Sequence, residues 1–142
     1  MLTLEEVLKG HNSQIKNTSL DLIQDRLGAR ICRFLTEDQA KSIGFVREDL
    51  SKPWPPPIPF TEENVLAQLK DDVLFGWEKA CSHRGISSSL MYDVVKGWCQ
   101  ILQNEFADFD DYAPYGTPLF IAVSKKYNFG IDEFDFIDSD DF

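Results

Sequence analysis

A run of prolines near the middle of the chain is the feature that most restricts its fold. Five prolines occupy seven consecutive positions within the segment Pro53-Trp-Pro-Pro-Pro-Ile-Pro-Phe60. Proline fixes φ, lacks an amide hydrogen and disfavours helix in the residue before it. The segment therefore cannot lie inside a helix, and we expect a stiff connector that follows an extended polyproline II course.

Two roles for this connector are open. Its large apolar residues, Trp54, Ile58 and Phe60, can pack against the helices on either side. The segment is then purely structural. Alternatively, it docks in an aromatic-lined groove of another protein, because P-x-x-P spacing occurs twice.

Helix signals precede the connector. Thr3 with Glu6, and Thr36 with Gln39, have capping-box spacing and predict short helices, the first of which stops at Gly10. Between them, apolar residues at intervals of three and four predict another helix. Its stripe consists of Leu20, Ile23, Leu27, Ile31 and Phe34. For the end of this stripe, Arg30–Leu35, a strand is the alternative.

The longest predicted helices follow the connector. Thr61 is expected to cap a helix over residues 62–84, with Gly85 as its stop. Its inner stripe would be Leu66, Leu69, Val73, Trp77 and Ala80. A serine run, 87–89, can cap a helix over residues 90–106. Its buried face would be Met91, Val94, Val95, Trp98, Leu102 and Phe106. The short connection predicts that these two helices are antiparallel neighbours.

A final helix is predicted from Thr117-Pro118, a cap followed by proline at the first helical position, to about Gly130. The fold class is therefore mostly α, with four to six helices. We expect one helical domain over residues 1–130, containing the proline-rich connector 53–60, and an acidic C-terminal tail over residues 131–142.

The composition favours a cytoplasmic protein. The three cysteines are too few and too widely spaced for a disulfide framework. The N-terminal residues lack the basic and apolar regions of a signal peptide, and no apolar run is long enough to span a membrane.

The net charge of −10 is unevenly distributed. Residues 105–142 carry 10 acidic residues and only two basic ones, Lys125 and Lys126, whereas residues 1–104 are nearly neutral. Direct binding to nucleic acid requires basic residues, so we do not expect it. A protein partner with a basic surface is expected instead.

Motifs of catalysis and metal binding are scarce. Cys81, His83 and Cys99 offer three soft ligands without the paired spacing of a zinc site. The acid pairs Asp71-Asp72 and Asp110-Asp111 are interpreted as solvated faces. We therefore predict a non-enzyme with no cofactor and no metal. An enzyme or metal protein that uses the two cysteines and the histidine is the least favoured alternative.

Aromatic and acidic residues alternate over residues 104–115, where Phe106, Phe109, Tyr112 and Tyr115 recur at every third position. One interpretation is a loop whose rings pack on the core. The other is an exposed patch that contacts a partner.

The acidic tail combines six acidic residues with five large apolar ones and no base. Like charges should keep it extended in isolation. Its last residues, Asp140-Asp141-Phe142, place carboxylates beside a ring, a combination that fits an apolar pocket rimmed by Arg and Lys. We expect the terminal carboxylate to contribute to such binding.

On these residues, the tip resembles the acidic C-terminal tip of bacterial and phage single-stranded-DNA-binding proteins, which recruits replication and repair enzymes. Asp138, Asp140 and Asp141 correspond to the acidic run and Phe142 to the anchoring ring. Bacterial tips usually have Ile-Pro before the final Phe, where this chain has Asp140-Asp141. The remainder of the chain lacks the alternating strands of an OB barrel.

These features predict a non-catalytic interaction protein that inhibits or recruits a nucleic-acid-processing enzyme, of the phage host-modulator or anti-defence type. A toxin-specific immunity protein and a homo-oligomeric assembly protein are the alternatives. The predicted partner-binding residues are Phe109, Tyr112, Phe134, Phe136, Asp138, Asp140, Asp141 and Phe142.

Overall fold

The computed structural model describes residues 1–12, 28–43, 45, 50–82, 85–109 and 116–131. In these ranges the chain forms six α-helices and one 3₁₀ helix, Cys32–Phe34, and no strand. The α-helices are α1 Leu4–Asn12, α2 Gly28–Ile31, α3 Glu37–Ser42, α4 Glu62–Cys81, α5 Gly85–Leu102 and α6 Thr117–Tyr127. The prediction of a mostly helical fold is confirmed.

Both capping boxes are present. The Glu6 amide donates to Thr3 Oγ1 over 3.1 Å, and the Thr3 amide donates back to Glu6 Oε1 over 3.3 Å. Thr36 and Gln39 exchange the same pair of bonds at the start of α3. Local signals of this kind need no tertiary contact, which is why the sequence predicts them correctly. However, α1 continues past Gly10 to Asn12.

Residues 30–34 are helical and Leu35 is an extended cap residue, so the strand alternative is wrong. The chain passes from α2 directly into the 3₁₀ helix, whose Phe34 is buried. The Phe34 ring meets Phe60 edge-on at 5.4 Å and Trp98 at 5.9 Å between ring centroids. Phe34 therefore joins the connector to the centre of the fold. The first three residues of the predicted stripe lie outside the described residues.

Helices α4 and α5 form the centre of the structure and are antiparallel, as predicted. Asp72 of α4 contacts Trp98 of α5, whereas Gly76, one turn later, faces Met91, which precedes Trp98. Helix α6 packs on α4 and, less extensively, on α5. A single apolar core contains buried residues from every α-helix in the described ranges.

The boundaries of α4 and α5 differ from the prediction. Helix α4 ends at Cys81, and Gly85 is the first residue of α5 rather than the stop of α4. The serines 87–89 therefore lie within α5 rather than capping it, and Phe106 lies in the turn after α5. In α4, Leu66 and Trp77 are only half-buried, because the inner face is centred on Leu69 and Val73.

The start of α6 also differs from the prediction. The cap is Gly116, at φ 68°, so Thr117 is the first helical residue and Pro118 is the second rather than the first. A Cβ at position 116 would lie 3.0 Å from the Tyr92 side chain. Both the positive φ and the close contact with α5 therefore favour glycine over threonine at the cap.

The connector crosses the body as a segment without helix or strand, residues 53–61. Trp54, Ile58 and Phe60 are half-buried and pack against the core, as the structural interpretation predicts.

No helix in the described ranges is long and apolar enough to cross a membrane.

Candidate functional site

Among the predicted partner-binding residues, the structure describes Phe109. The others lie outside the described residues: Tyr112, Phe134, Phe136, Asp138, Asp140, Asp141 and Phe142. The described residues do, however, include both points at which the aromatic loop and the acidic tail join the helical body.

Phe109 belongs to a loop that is fixed to the core. Its ring is half-buried and lies 6.3 Å from that of Phe106. Its carbonyl oxygen accepts a bond of 3.2 Å from the Tyr92 hydroxyl of α5. Both Phe106 and Phe109 pack against the core, so in its described part the loop follows the core-packing interpretation rather than that of an exposed patch.

Asn104 organises the loop that leads to Phe109. Its side-chain oxygen accepts from the Phe106 amide over 2.9 Å, and its side-chain nitrogen donates to the Tyr127 hydroxyl over 2.8 Å. Nearby, Lys126 forms an exposed ion pair of 3.3 Å with Glu105. The loop after α5 is thereby tied to the last turn of α6. The exposed ion pair contributes little to stability, because solvent screens it.

The acidic tail is anchored at its first residue. Helix α6 ends at Tyr127, and its C-cap, Asn128, is in the left-handed conformation. The amides of Asn128 and Phe129 both donate to the Ser124 carbonyl. The Ile131 amide then donates to the Ser124 hydroxyl oxygen over 2.8 Å. Ser124 and Ile131 are both buried, at 1% and 6% exposure. Residues 128–131, which we call the tail base, are therefore held by one serine.

The tail base also presents an aromatic pair. The rings of Tyr127 and Phe129 stack with 5.7 Å between centroids, and the Lys126 ammonium lies 5.6 Å from the Tyr127 ring centroid. Both rings are half-buried against the core. The start of the acidic tail thus lies beside a rigid aromatic pair and the Lys126–Glu105 ion pair.

A buried polar network around Asp72 was missed by sequence reasoning. Asp72 of α4 is 3% exposed and accepts bonds of 2.7 Å from the Arg30 Nε and from the Trp98 Nε1. Gln68 donates a longer bond, 3.4 Å, to the same carboxylate and accepts from Arg33 over 2.9 Å. The network connects α2, α4 and α5.

The interpretation of Asp71-Asp72 as a solvated face is therefore wrong for Asp72, whereas Asp71 is exposed as expected. Asp72 lies on the same face of α4 as Leu69 and Gly76, three residues after one and four before the other. This helical spacing from two buried residues is the sequence signal that could have identified Asp72 as buried. A buried carboxylate requires partners, and its two shortest bonds come from residues distant in sequence.

The two buried thiols, Cys32 and Cys99, are poor nucleophiles. Burial raises the pKa of the Cys99 thiol to about 12, opposed by a hydrogen bond with the Asn104 side chain. Burial also raises the pKa of Cys32. Both side chains are therefore neutral thiols near pH 7, and thiols are much weaker nucleophiles than thiolates. Cys81 is half-buried at the end of α4, and His83 lies outside the described residues.

Within the described part of the chain, no group of three His, Cys, Asp or Glu side chains is arranged to hold a metal ion. The described residues thus form a small all-α body, to which Phe109 and Ile131 are fixed by hydrogen bonds. Comparisons with protein-family models, with curated proteins and with solved structures find no match to this chain.

Proposed function

We propose that this chain is a non-catalytic, acidic interaction protein that docks on a basic surface of a nucleic-acid-processing enzyme and inhibits or recruits it. The observation that carries the proposal is the composition of residues 131–142, where six acidic residues alternate with large apolar ones and no base is present. A segment that only increases solubility needs the charges but not the apolar residues, which favour burial.

Each residue type in the acidic tail has a role in this proposal. Phe134, Phe136 and Phe142 fill apolar pockets on the partner. Asp138, Asp140 and Asp141 face Arg and Lys side chains around those pockets, and such charge complementarity accelerates association and selects the partner. Tyr112 extends the contact from the loop after α5, whose Phe109 is half-buried and packs on the core.

The tail base supports this proposal. Because Ser124 accepts from three amides and Ile131 is buried, the tail leaves the body from a defined position. A fixed origin lowers the number of conformations that binding must restrict, and so lowers the entropic cost of docking. The nearby ion pair uses Lys126, one of only two bases in the last 38 residues.

The chemistry of the body supports a non-catalytic role. The thiols of Cys32 and Cys99 are buried with raised pKa values, and Asp72 is engaged by Arg30 and Trp98. These groups hold the helices together rather than facing a substrate.

The resemblance to single-stranded-DNA-binding proteins suggests which partner to test. In that family the acidic tip recruits replication and repair enzymes, so an enzyme of that class is the proposed partner. The proposed biological setting is a phage-encoded modulator of such an enzyme in the cytoplasm, without direct contact to nucleic acid.

The test compares the full chain with a version that ends after Ile131. Cutting one residue earlier would remove a buried side chain and confound binding with folding. Both proteins are used to capture partners from lysate, and each captured nucleic-acid enzyme is then purified and titrated. The proposal requires an enzyme that binds the full chain and not the shortened one, with affinity that falls as salt rises.

Single substitutions sharpen the test. Phe142→Ala is expected to weaken binding by about 2–4 kcal/mol, the range of a buried aromatic hot spot. Phe75→Ala is the matched control, because Phe75 is a 41% exposed aromatic residue of α4 and does not belong to the acidic tail. Equal affinity of the full and shortened chains for the captured enzyme would refute the proposal.

A tail-dependent oligomer in light scattering, without enzyme binding, would instead support the assembly alternative.

A further inference from the structure

The connector contains two sets of residues that differ in their burial. Its large apolar side chains are half-buried on the body, whereas every proline of the segment is exposed. The exposed set, which we call the proline ridge, consists of Pro53, Pro55, Pro56, Pro57 and Pro59.

Four contacts fix the underside of the connector. The Trp54 indole donates to the Leu35 carbonyl over 2.9 Å, and its ring lies edge-on to Phe45 at 5.8 Å. The Ile58 amide donates to the Arg33 carbonyl over 2.9 Å. At the end of the segment, Phe60 packs edge-on against Phe34. The connector is therefore held at both ends and in the middle.

The ridge presents an unusual set of chemical groups. Its five prolines have no amide hydrogen, and the amide of Ile58 is already bonded to the body. The ridge therefore cannot pair with the edge of a sheet, which needs regular N–H donors. It offers pyrrolidine rings, which pack well on flat aromatic rings.

We infer that the proline ridge is a docking surface for a protein domain whose groove is lined by Tyr and Trp rings. Pro56 is shared by the two P-x-x-P spacings, Pro53 to Pro56 and Pro56 to Pro59, so it lies at the centre of the surface. This inference goes beyond the proposed function, because the ridge and the acidic tail are separate segments.

Two further features define the partner. Exposed Lys52 directly precedes the ridge, and exposed Glu62 and Glu63 follow it, so a groove that is acidic near Pro53 and basic near Pro59 gives charge complementarity. Trp54 is excluded as a docking residue, because its N–H and its ring are both engaged with the body. The anchors also fix the ridge before binding, and such preorganisation lowers the entropic cost of association.

The experiment titrates the intact chain with purified SH3 and WW domains, which have aromatic grooves. At least one domain is expected to bind saturably. Pro56→Ala, which disrupts both spacings, is expected to weaken that binding by about tenfold, or about 1.4 kcal/mol. Pro118→Ala is the matched control, since it removes a proline from the start of α6 and leaves the ridge intact. Circular dichroism checks that each variant folds.

A second variant tests the role of the anchors. Trp54→Phe keeps an aromatic ring but removes the hydrogen bond to the Leu35 carbonyl. It is expected to weaken binding less than Pro56→Ala does, while leaving the ridge residues unchanged. Absence of saturable binding by every domain up to about 1 mM, a binding free energy of about −4 kcal/mol, would overturn the inference. Binding that Pro56→Ala leaves unchanged would overturn it as well.

Discussion

Helices α4 and α5 lie side by side, yet they are buried in different ways. Over residues 91–102 of α5, every position is buried apart from Asp93 and Lys96, which are half-buried. Helix α4 buries one face and exposes the other, and its buried face includes the carboxylate of Asp72. Of the two helices at the centre of the fold, α5 is therefore the more completely buried, and α4 has one buried and one exposed face.

The difference shows that a helix can be held in position by packing alone or by packing together with polar bonds. In α5, the apolar composition accounts for burial on nearly all sides over residues 91–102, which is more than the single buried face that the spacing predicted. In α4, the position is set by an apolar stripe and by polar bonds, because Asp72 pairs with Arg30 and Trp98 only when the helices are correctly aligned. Substitutions in α5 should therefore act mainly through packing, and those in α4 through packing and polar pairing together.

The largest effect is expected for Trp98→Ala. Trp98 is fully buried, packs on Phe34 and donates to Asp72. Its truncation should destabilise the fold by about 3–5 kcal/mol, through a large cavity and an unpaired carboxylate oxygen. Trp77→Ala, at a half-buried position in α4, is the control and should cost clearly less. Denaturant unfolding measures both, and equal losses would contradict the more complete burial of α5.

An intermediate effect is expected for Asp72→Ala. It leaves the Trp98 N–H without its acceptor and removes the partner of Arg30, at a cost of about 1–3 kcal/mol. The contribution of Arg30 is reduced by solvent, because its side chain is 33% exposed. Asp71→Ala, on the exposed face beside it, should change stability by less than about 0.5 kcal/mol.

A cycle that combines Asp72→Ala with Trp98→Phe separates the polar bond from packing. Trp98→Phe keeps a ring but removes the N–H donor. If the two residues are coupled as the 2.7 Å bond implies, the double variant should be more stable than the sum of the single losses predicts. Strict additivity would show that the bond does not align the helices.

The smallest effect is expected for Gly76→Ala, where α4 meets both α5 and α6. An added Cβ would lie 2.7 Å from Phe120 Cζ and 2.9 Å from Met91 Cβ. Overpacking destabilises the fold by about 1–3 kcal/mol, whereas the better helix propensity of alanine stabilises it by up to about 1 kcal/mol. A net loss of about 1 kcal/mol in thermal or denaturant unfolding is therefore expected. A gain in stability would mean that the three helices can separate at this point without cost.

Sequence reasoning succeeded where the signal is local. Thr3 with Glu6 and Thr36 with Gln39 act within one helical turn, so their spacing was sufficient to place two helix starts. The proline run and its inward-facing Trp54 were predictable for the same reason. The mostly helical class followed from apolar periodicity.

It failed where the determinant is tertiary. Asp72 is bonded to residues 42 and 26 positions away, and no local pattern identifies them. Gly116 caps α6 because Tyr92 of α5 lies against it, whereas the sequence favoured Thr117. Within the candidate site, the Tyr92 hydroxyl bonds to the Phe109 carbonyl oxygen and holds that residue on the core. The tail residues remain predictions.

The anchoring of Ile131 by Ser124 sets a distance limit. Phe142 follows Ile131 by eleven residues, so the two cannot be farther apart than about 40 Å even in a fully extended chain. Any pocket that receives the Phe142 ring must therefore lie within a sphere of that radius around the C-terminal end of α6. If the pocket lies inside a channel at a depth close to this limit, Phe142 reaches it only when the helical body contacts the mouth of the channel. In that position the helical body also covers the mouth of the channel, and its width determines which channels it can block.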